Sequence, residues 1–244
     1  MHNSSDNHFL HFDQHGGSFI HSPDVLGQKL SQIEGFLFDW DGVFNTGEKN
    51  GNGSSSFNEI DIMGINMLRF SHWLMYGKIP FTTIVTGEKN ASAFQIASRE
   101  HFDACYFKVA HKTLALDHIG QAYKLIPSSL AFVFDDILDL SIARVCGFRF
   151  LIRRPGASLL KEYVLKNSLA DYITGNTSGH YAIREICELV LALRNNLDQT
   201  LEERITFSAV YQEYLSQRNA IQTQFFTRQK DGIVSANPMD TQNA

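Results

Sequence analysis

Two carboxylates two positions apart, Asp39 and Asp41, lie where the apolar run of FLFDWDGVFNTG (residues 36–47) breaks off. On a strand, residues i and i+2 share a face, so both acids converge where the strand stops. Like charges held that close need a cation, a shared proton or water. A second acidic pair, Asp135 and Asp136, follows the apolar stretch AFVF of AFVFDDILDL. Acids ending such a strand must be solvated or given a cation. Thr86 and Gly87 in IVTGEKN and Lys112 in VAHKTLAL add a hydroxyl, backbone N–H groups and a positive charge suited to phosphate oxygens.

Together these are the parts that phosphoryl transfer requires: a carboxylate nucleophile, an acid/base, a cation site and groups that neutralise phosphate. Asp39 would attack and, with Asp135, would bind Mg2+, a hard ion that accepts few protein carboxylates. Asp41 would protonate the leaving alcohol and then activate water. Thr86, Gly87 and Lys112 would hold the phosphate. Each motif alone has a plainer explanation: a solvated turn for DWDG, an ordinary helix cap for Thr-Gly, a surface position for a single lysine. The argument rests on their conjunction.

Such groups gather at the carboxyl edge of a parallel sheet. Apolar runs alternating with helix-like segments predict strands over 35–39, 80–86, 104–107, 131–135 and 148–152. Helices are expected over 62–76, 89–101, 111–124, 137–145, 157–166 and 181–194, with ADYIT (170–174) extended. The fold class is α/β, a parallel sheet sandwiched by helices. Residues 47–60, rich in Gly, Asn and Ser, exceed the usual two to six residues of a βα loop and read as a small β-hairpin flap, about 44–60, turning near GNGS.

The core, residues 31–195, is expected between an N-terminal tail over 1–30 and a helical extension over 196–244. In that extension LEERITFSAVYQEYLSQRNAIQTQFF carries an apolar stripe, which needs a partner surface in the same chain or another copy. His8, His11 and His15 can share a helical face as metal ligands, but the polar, aperiodic leader reads as solvated chain.

A chain of 244 residues with 43% hydrophobic and 19% charged residues fits one globular domain plus extensions. Its net charge of -5, without a Lys/Arg stripe, argues against nucleic acid. Cys105, Cys146 and Cys187 are widely spaced among apolar residues, as buried thiols of a reducing compartment are. No basic, apolar leader and no run long enough for a bilayer is seen, so a cytoplasmic protein without a membrane partner is expected.

In order along the chain, FLFDWDGVFNTG, IVTGEKNAS, VAHKTLAL and VFDDILDL resemble the four motifs of haloacid-dehalogenase-type phosphohydrolases. Within that superfamily, FNEIDIMGINML and ADYITGNTSGHYAIREICELVLAL are similar to octulosonate 8-phosphate and nonulosonate phosphatases, over about residues 33–194. The resemblance implies a Rossmann-like core, Mg2+, an aspartyl-phosphate on Asp39, and Asp41 as acid/base. It implies further that the backbone carbonyl of Asp41 and the side chain of Asp135 complete the metal site, supported by Asp136 and Asp139. It also implies a homotetramer without a large cap, in which the flap and C-terminal segment of neighbours cover each site.

Three residues depart from that pattern. Glu88 and Ile60 stand where arginines are usual, and Phe134 stands where glycine is usual. Two lost cations and one added anion weaken complementarity to an acidic substrate. Arg153 and Arg154, just after the fifth strand, either restore positive charge or form surface ion pairs. The expected function is a Mg2+-dependent phosphomonoester hydrolase acting on a small phosphorylated metabolite, a sugar acid phosphate such as an octulosonate 8-phosphate or nonulosonate 9-phosphate. A non-catalytic binding module on the same scaffold is the alternative, and the presence of Asp41 argues against it.

Overall fold

The computed structural model describes residues 4–51 and 55–237. In chain order its elements are α1 (Ser4–Gln14), β1 (Ser18–Phe19), α2 (Pro23–Leu30), β2 (Gly35–Phe38), α3 (Glu59–Tyr76), β3 (Phe81–Val85), α4 (Ala91–Arg99), β4 (Ala104–Phe107), α5 (Thr113–Tyr123) and β5 (Leu130–Phe134). There follow α6 (Leu140–Ala143), β6 (Phe148–Arg153), α7 (Ser158–Lys166), β7 (Tyr172–Thr177), α8 (Ala182–Leu193), α9 (Leu197–Ile205), α10 (Ala209–Ala220), β8 (Gln224–Gln229) and β9 (Gly232–Ser235). Short 3-10 turns lie at Pro127–Ser129 and Ile137–Asp139.

Among the described residues the strands form one sheet in the order β1-β7-β6-β5-β2-β3-β4-β8-β9. The seven from β7 to β8 run parallel, and β1 and β9 lie antiparallel at the two borders. This is the α/β class read from the alternation of segments. Central strands are buried on both faces, which explains why they read as continuous apolar runs. Phe36, Phe38, Ala131 and Val133 face a core layer shared with α2, α3, α4, α8 and α10. Leu37, Phe132 and Phe134 face the layer under α5, α6 and α7. Helix α3 starts where Asn58 accepts the Ile60 N–H at 2.9 Å and stops at Gly77 in the left-handed region.

The reading of residues 1–30 as a tail is overturned for residues 4–30, which fold. Phe9, Phe12 and Phe19 pack on the core around Tyr172, and β1 pairs with β7. Lys29 on α2 donates to Asp171, which also holds Arg149 through bonds of 2.9 and 3.0 Å. A contact between residues so distant in sequence leaves no local period to read. His15 Nδ1 lies 2.7 Å from the carbonyl of His11, and His8, His11 and His15 do not form a converging ligand group.

The extension differs as well. Helices α9 and α10 match the helical reading, but residues 224–235 form a β-hairpin whose first strand pairs parallel with β4. The apolar stripe of α10 is covered by its own chain: Tyr211 and Tyr214 pack against Phe70, 4.9 and 5.0 Å between ring centroids. The expected flap is not a hairpin among the described residues of 44–60, where an isolated bridge joins Asn45 back to Asp41. Most of its GNGS turn, residues 52–54, lies outside the described residues. No helix among the described residues is long and apolar enough to cross a membrane, and all three cysteines are buried and free.

One buried group ties this core to pH. His72 on α3 accepts from Arg194 at Nδ1 (2.9 Å), so Nε2 carries the proton and is buried without a partner. Burial, then the Arg194 and Lys78 charges, push its pKa down to about 3. Unfolded His72 takes up a proton near pH 6.5, so between about pH 6.5 and 3 the unfolded state binds more protons and stability falls with pH. The expected loss from this residue is about 2 kcal/mol between pH 7 and 5. Urea unfolding at both values should show it, and His72→Gln should flatten that part of the slope.

Candidate active site

Strand β2 ends inside the sheet, because the Asp39 N–H still donates to the Val133 carbonyl at 3.0 Å. The chain then turns at once: the Trp40 carbonyl accepts from Val43 (3.2 Å) and Phe44 (3.0 Å), and the Trp40 ring stacks on Phe44 at 4.7 Å. Gly42 sits in this turn at φ +87, and a Cβ there would lie 2.0 Å from Asp135 Oδ2. Only glycine allows both that backbone angle and that approach. Asp39 and Asp135 therefore face each other from adjacent strand ends.

Lys112, 3% exposed, enters from the start of α5. Its Nζ donates to Asp39 Oδ1 and, at 2.6 Å, to Asp139 Oδ1. Asp139 closes the 3-10 turn after β5, its Oδ2 accepting the N–H groups of Asp135 (3.4 Å) and Asp136 (3.3 Å). Asp136 is exposed and caps the same turn through Ile137 N–H at 2.7 Å. Asp41 accepts from Ser55 at 2.6 Å on one oxygen and pairs with Lys49 at 3.0 Å on the other. Ser55 is held in turn by Asn90 at 2.7 Å. Thr86 directly follows β3, and its Oγ1 accepts the Glu88 N–H at 3.2 Å.

Asp39, Asp41, Thr86, Gly87, Lys112, Asp135, Asp136 and Asp139 all line one cavity of about 320 Å³. The residues singled out for chemistry are thus brought together. Glu88 is exposed at its rim. Phe134 lies outside it, buried on the α5 side with its ring stacked on Phe132 at 5.6 Å, and Ile60 is an exposed residue of α3. Arg154 does reach the cavity, donating to Asp135 Oδ2 and lying 3.5 Å from Asp136. Arg153 bonds instead to the Gly175 carbonyl at 3.2 Å. The partners of Asp41, Lys49 and Ser55, had no signal in the sequence, because both come from the long segment read as a hairpin flap, whose contacts follow from no local period.

The acids lack enough positive charge. Burial raises the Asp39 pKa to about 7, with Asp139 adding repulsion against the attraction of Lys112. Burial, then the charges of Asp39 and Asp139, raises Asp135 to about 8 despite Arg154. Asp135 Oδ1 is buried without a hydrogen-bond partner. Asp39, Asp135 and Asp139 each offer an oxygen, all within 4.8 Å of one another. A hard divalent cation fits this all-oxygen, electron-rich donor set and would relieve both the orphaned oxygen and the repulsion. The Asp41 carboxylate is not part of this group, its oxygens being engaged by Ser55 and Lys49.

No family model matches the chain. The chain is 25% identical over 188 residues to the 3-deoxy-D-manno-octulosonate 8-phosphate phosphatase of Escherichia coli K12, covering 75% of this chain and 92% of that protein. The Moraxella catarrhalis phosphatase of the same name, crystallised with magnesium, phosphate and KDO, superposes with a TM-score of 0.61 at 27% identity, over 76% of this chain and 99% of that one. The Yersinia pestis structure agrees in fold, with a TM-score of 0.58 at 24% identity over 72% of this chain and 89% of its own. The chain is thus an α/β protein that resembles, in sequence and in fold, the 3-deoxy-D-manno-octulosonate 8-phosphate phosphatases of the haloacid-dehalogenase superfamily.

Proposed function

We propose that this protein is a magnesium-dependent phosphomonoester hydrolase that works through an aspartyl-phosphate on Asp39, with a sugar acid phosphate of the octulosonate 8-phosphate or nonulosonate 9-phosphate class as substrate. The observation that carries this reading is the single cavity in which Lys112 bridges Asp39 and Asp139 while Asp135 keeps an unpartnered oxygen beside them. Asp39, Asp135 and the backbone carbonyl of Asp41 would hold Mg2+, with Asp136 and Asp139 supporting the turn behind them. When bound, the ion supplies charge that lets an anionic ester approach anionic carboxylates.

The rest falls to the chain itself. The Asp39 carboxylate attacks phosphorus as the P–O bond to the alcohol breaks, and Asp41 gives its proton to the departing oxygen. Asp41 then takes a proton from water as that water attacks the aspartyl-phosphate, releasing phosphate and restoring Asp39. Lys112, and the hydroxyl and backbone N–H groups at Thr86 and Gly87, neutralise the phosphate oxygens as charge builds on them. A homotetramer in the cytoplasm belongs to the same reading, and light scattering on the purified protein tests its assembly.

The decisive experiment is phosphate release from a panel of an aryl phosphate, neutral sugar phosphates and the two sugar acid phosphates. Turnover is expected with Mg2+ and is abolished by a chelator. Asp41→Asn should lower kcat by about 10²–10⁴-fold. Silence of the wild-type protein toward every ester in the presence of Mg2+ refutes the enzyme and leaves a binding module.

A further inference from the structure

A second cavity, of about 520 Å³, opens beside the catalytic one and shares Asp136 and Arg154 with it. Its other walls are Thr46, Arg153, the Pro155–Ala157 stretch, Thr177, Ser178 and His180. These come from the ends of β6 and β7 and from the loop after β2, so the same sheet edge builds both cavities.

Strand order sets the direction in which charge changes along that edge. From β4 through β3, β2, β5 and β6 to β7 it carries Lys112, then Glu88, then Asp39, then Asp135 and Asp136, then Arg153 and Arg154, and finally the hydroxyls of Thr177 and Ser178. The phosphate is held on the β3 and β4 side, by Thr86 and Lys112. Glu88 repels any second anion there. An acidic leaving group is therefore driven toward β6 and β7, where arginine replaces glutamate.

Arg153 is fitted to receive it. Its backbone N–H is fixed by Thr174 Oγ1 at 2.9 Å, and its guanidinium makes one bond, from Nη1 to the Gly175 carbonyl. The side chain is exposed, and no carboxylate pairs with it among the described residues. Arg154, by contrast, is committed to Asp135 and Asp136. A guanidinium presents five donors in a planar fork that matches a carboxylate. Thr46, Thr177, Ser178 and His180 around it offer the hydroxyl and imidazole groups that hydrogen-bond a polyol.

We infer that this cavity is a subsite for the acidic, polyhydroxylated end of the substrate, with Arg153 as the residue that selects a carboxylate-bearing ester over a neutral one. Asp136, exposed on the shared wall, is the opposing charge, and its contact with Arg154 offsets it. The inference rests on the phosphatase reading above and adds a substrate-selecting residue to it.

The test compares KM and kcat for octulosonate 8-phosphate and for a hexose 6-phosphate without a carboxylate, in wild type, Arg153→Gln and Arg153→Lys, with circular dichroism as a check of folding. The preference for the acid, as a ratio of kcat/KM values, should drop roughly tenfold or more in Arg153→Gln through KM, with partial recovery in Arg153→Lys. A ratio unchanged by Arg153→Gln, or equal losses on both substrates, overturns the subsite. So does a wild-type enzyme that hydrolyses both esters without preference, which still leaves the phosphatase standing. Absence of all turnover removes the function and the subsite together.

Discussion

Asp39→Asn should reduce phosphate release by at least about 10⁴-fold while leaving the protein folded and no less stable. The amide keeps the size of the side chain and loses the nucleophile. Its structural effect has the opposite sign to the usual cost of a buried substitution. In the metal-free protein the Asp39 carboxylate is buried beside Asp135 and Asp139, and its pKa is pushed up to about 7. Removing its charge relieves that repulsion. Phosphate release measured with a colorimetric assay, together with a thermal melt without metal, reads both effects. Retention of more than about 1% of activity in a well-folded variant removes Asp39 from the nucleophile's role.

Lys112→Met makes the converse prediction. Lys112 is the cation that faces both Asp39 and Asp139 from inside the protein, almost fully buried. Methionine fills similar space and leaves two carboxylates uncompensated, a loss of about 3–5 kcal/mol for breaking a buried pair. In a protein of this size that lowers the melting temperature by about 10 °C. Activity falls as well, by roughly 10²–10³-fold, because the positive charge on the developing transition state is gone. Added Mg2+ should raise the melting temperature of the variant more than that of the wild type, since it replaces the missing counter-charge. A variant that melts with the wild type in the absence of metal contradicts the charge balance described for the site.

Why some of this was legible and some not follows from the range of the forces involved. The strand at Ala104–Phe107 coincides with its expected bounds, and β2, β3, β5 and β6 lie within a residue of theirs, because strands buried on both faces carry their signal in the residues themselves. The site acids were legible as polar residues at the ends of such strands. Helix α3 begins three residues before its expected start because Asn58 caps it. The folding of residues 4–30 was hidden, since Lys29 reaches Asp171 across 142 positions and the polar composition masks three packing phenylalanines. QFFTRQ read as more helix after α10, yet a six-residue strand is set by the border of β4 beside it rather than by its own composition. Arg154 was visible in the sequence, but its grip on Asp135 depends on how β6 lies next to β5.

The short β1 and the β8–β9 hairpin flank the parallel strands on opposite sides. Without them, β7 and β4 would each present a row of unsatisfied amides and carbonyls to any chain that approached. The peripheral segments thus act as guards of solubility, and a version shortened at both ends to the catalytic scaffold trades compactness for adhesive margins prone to aggregation.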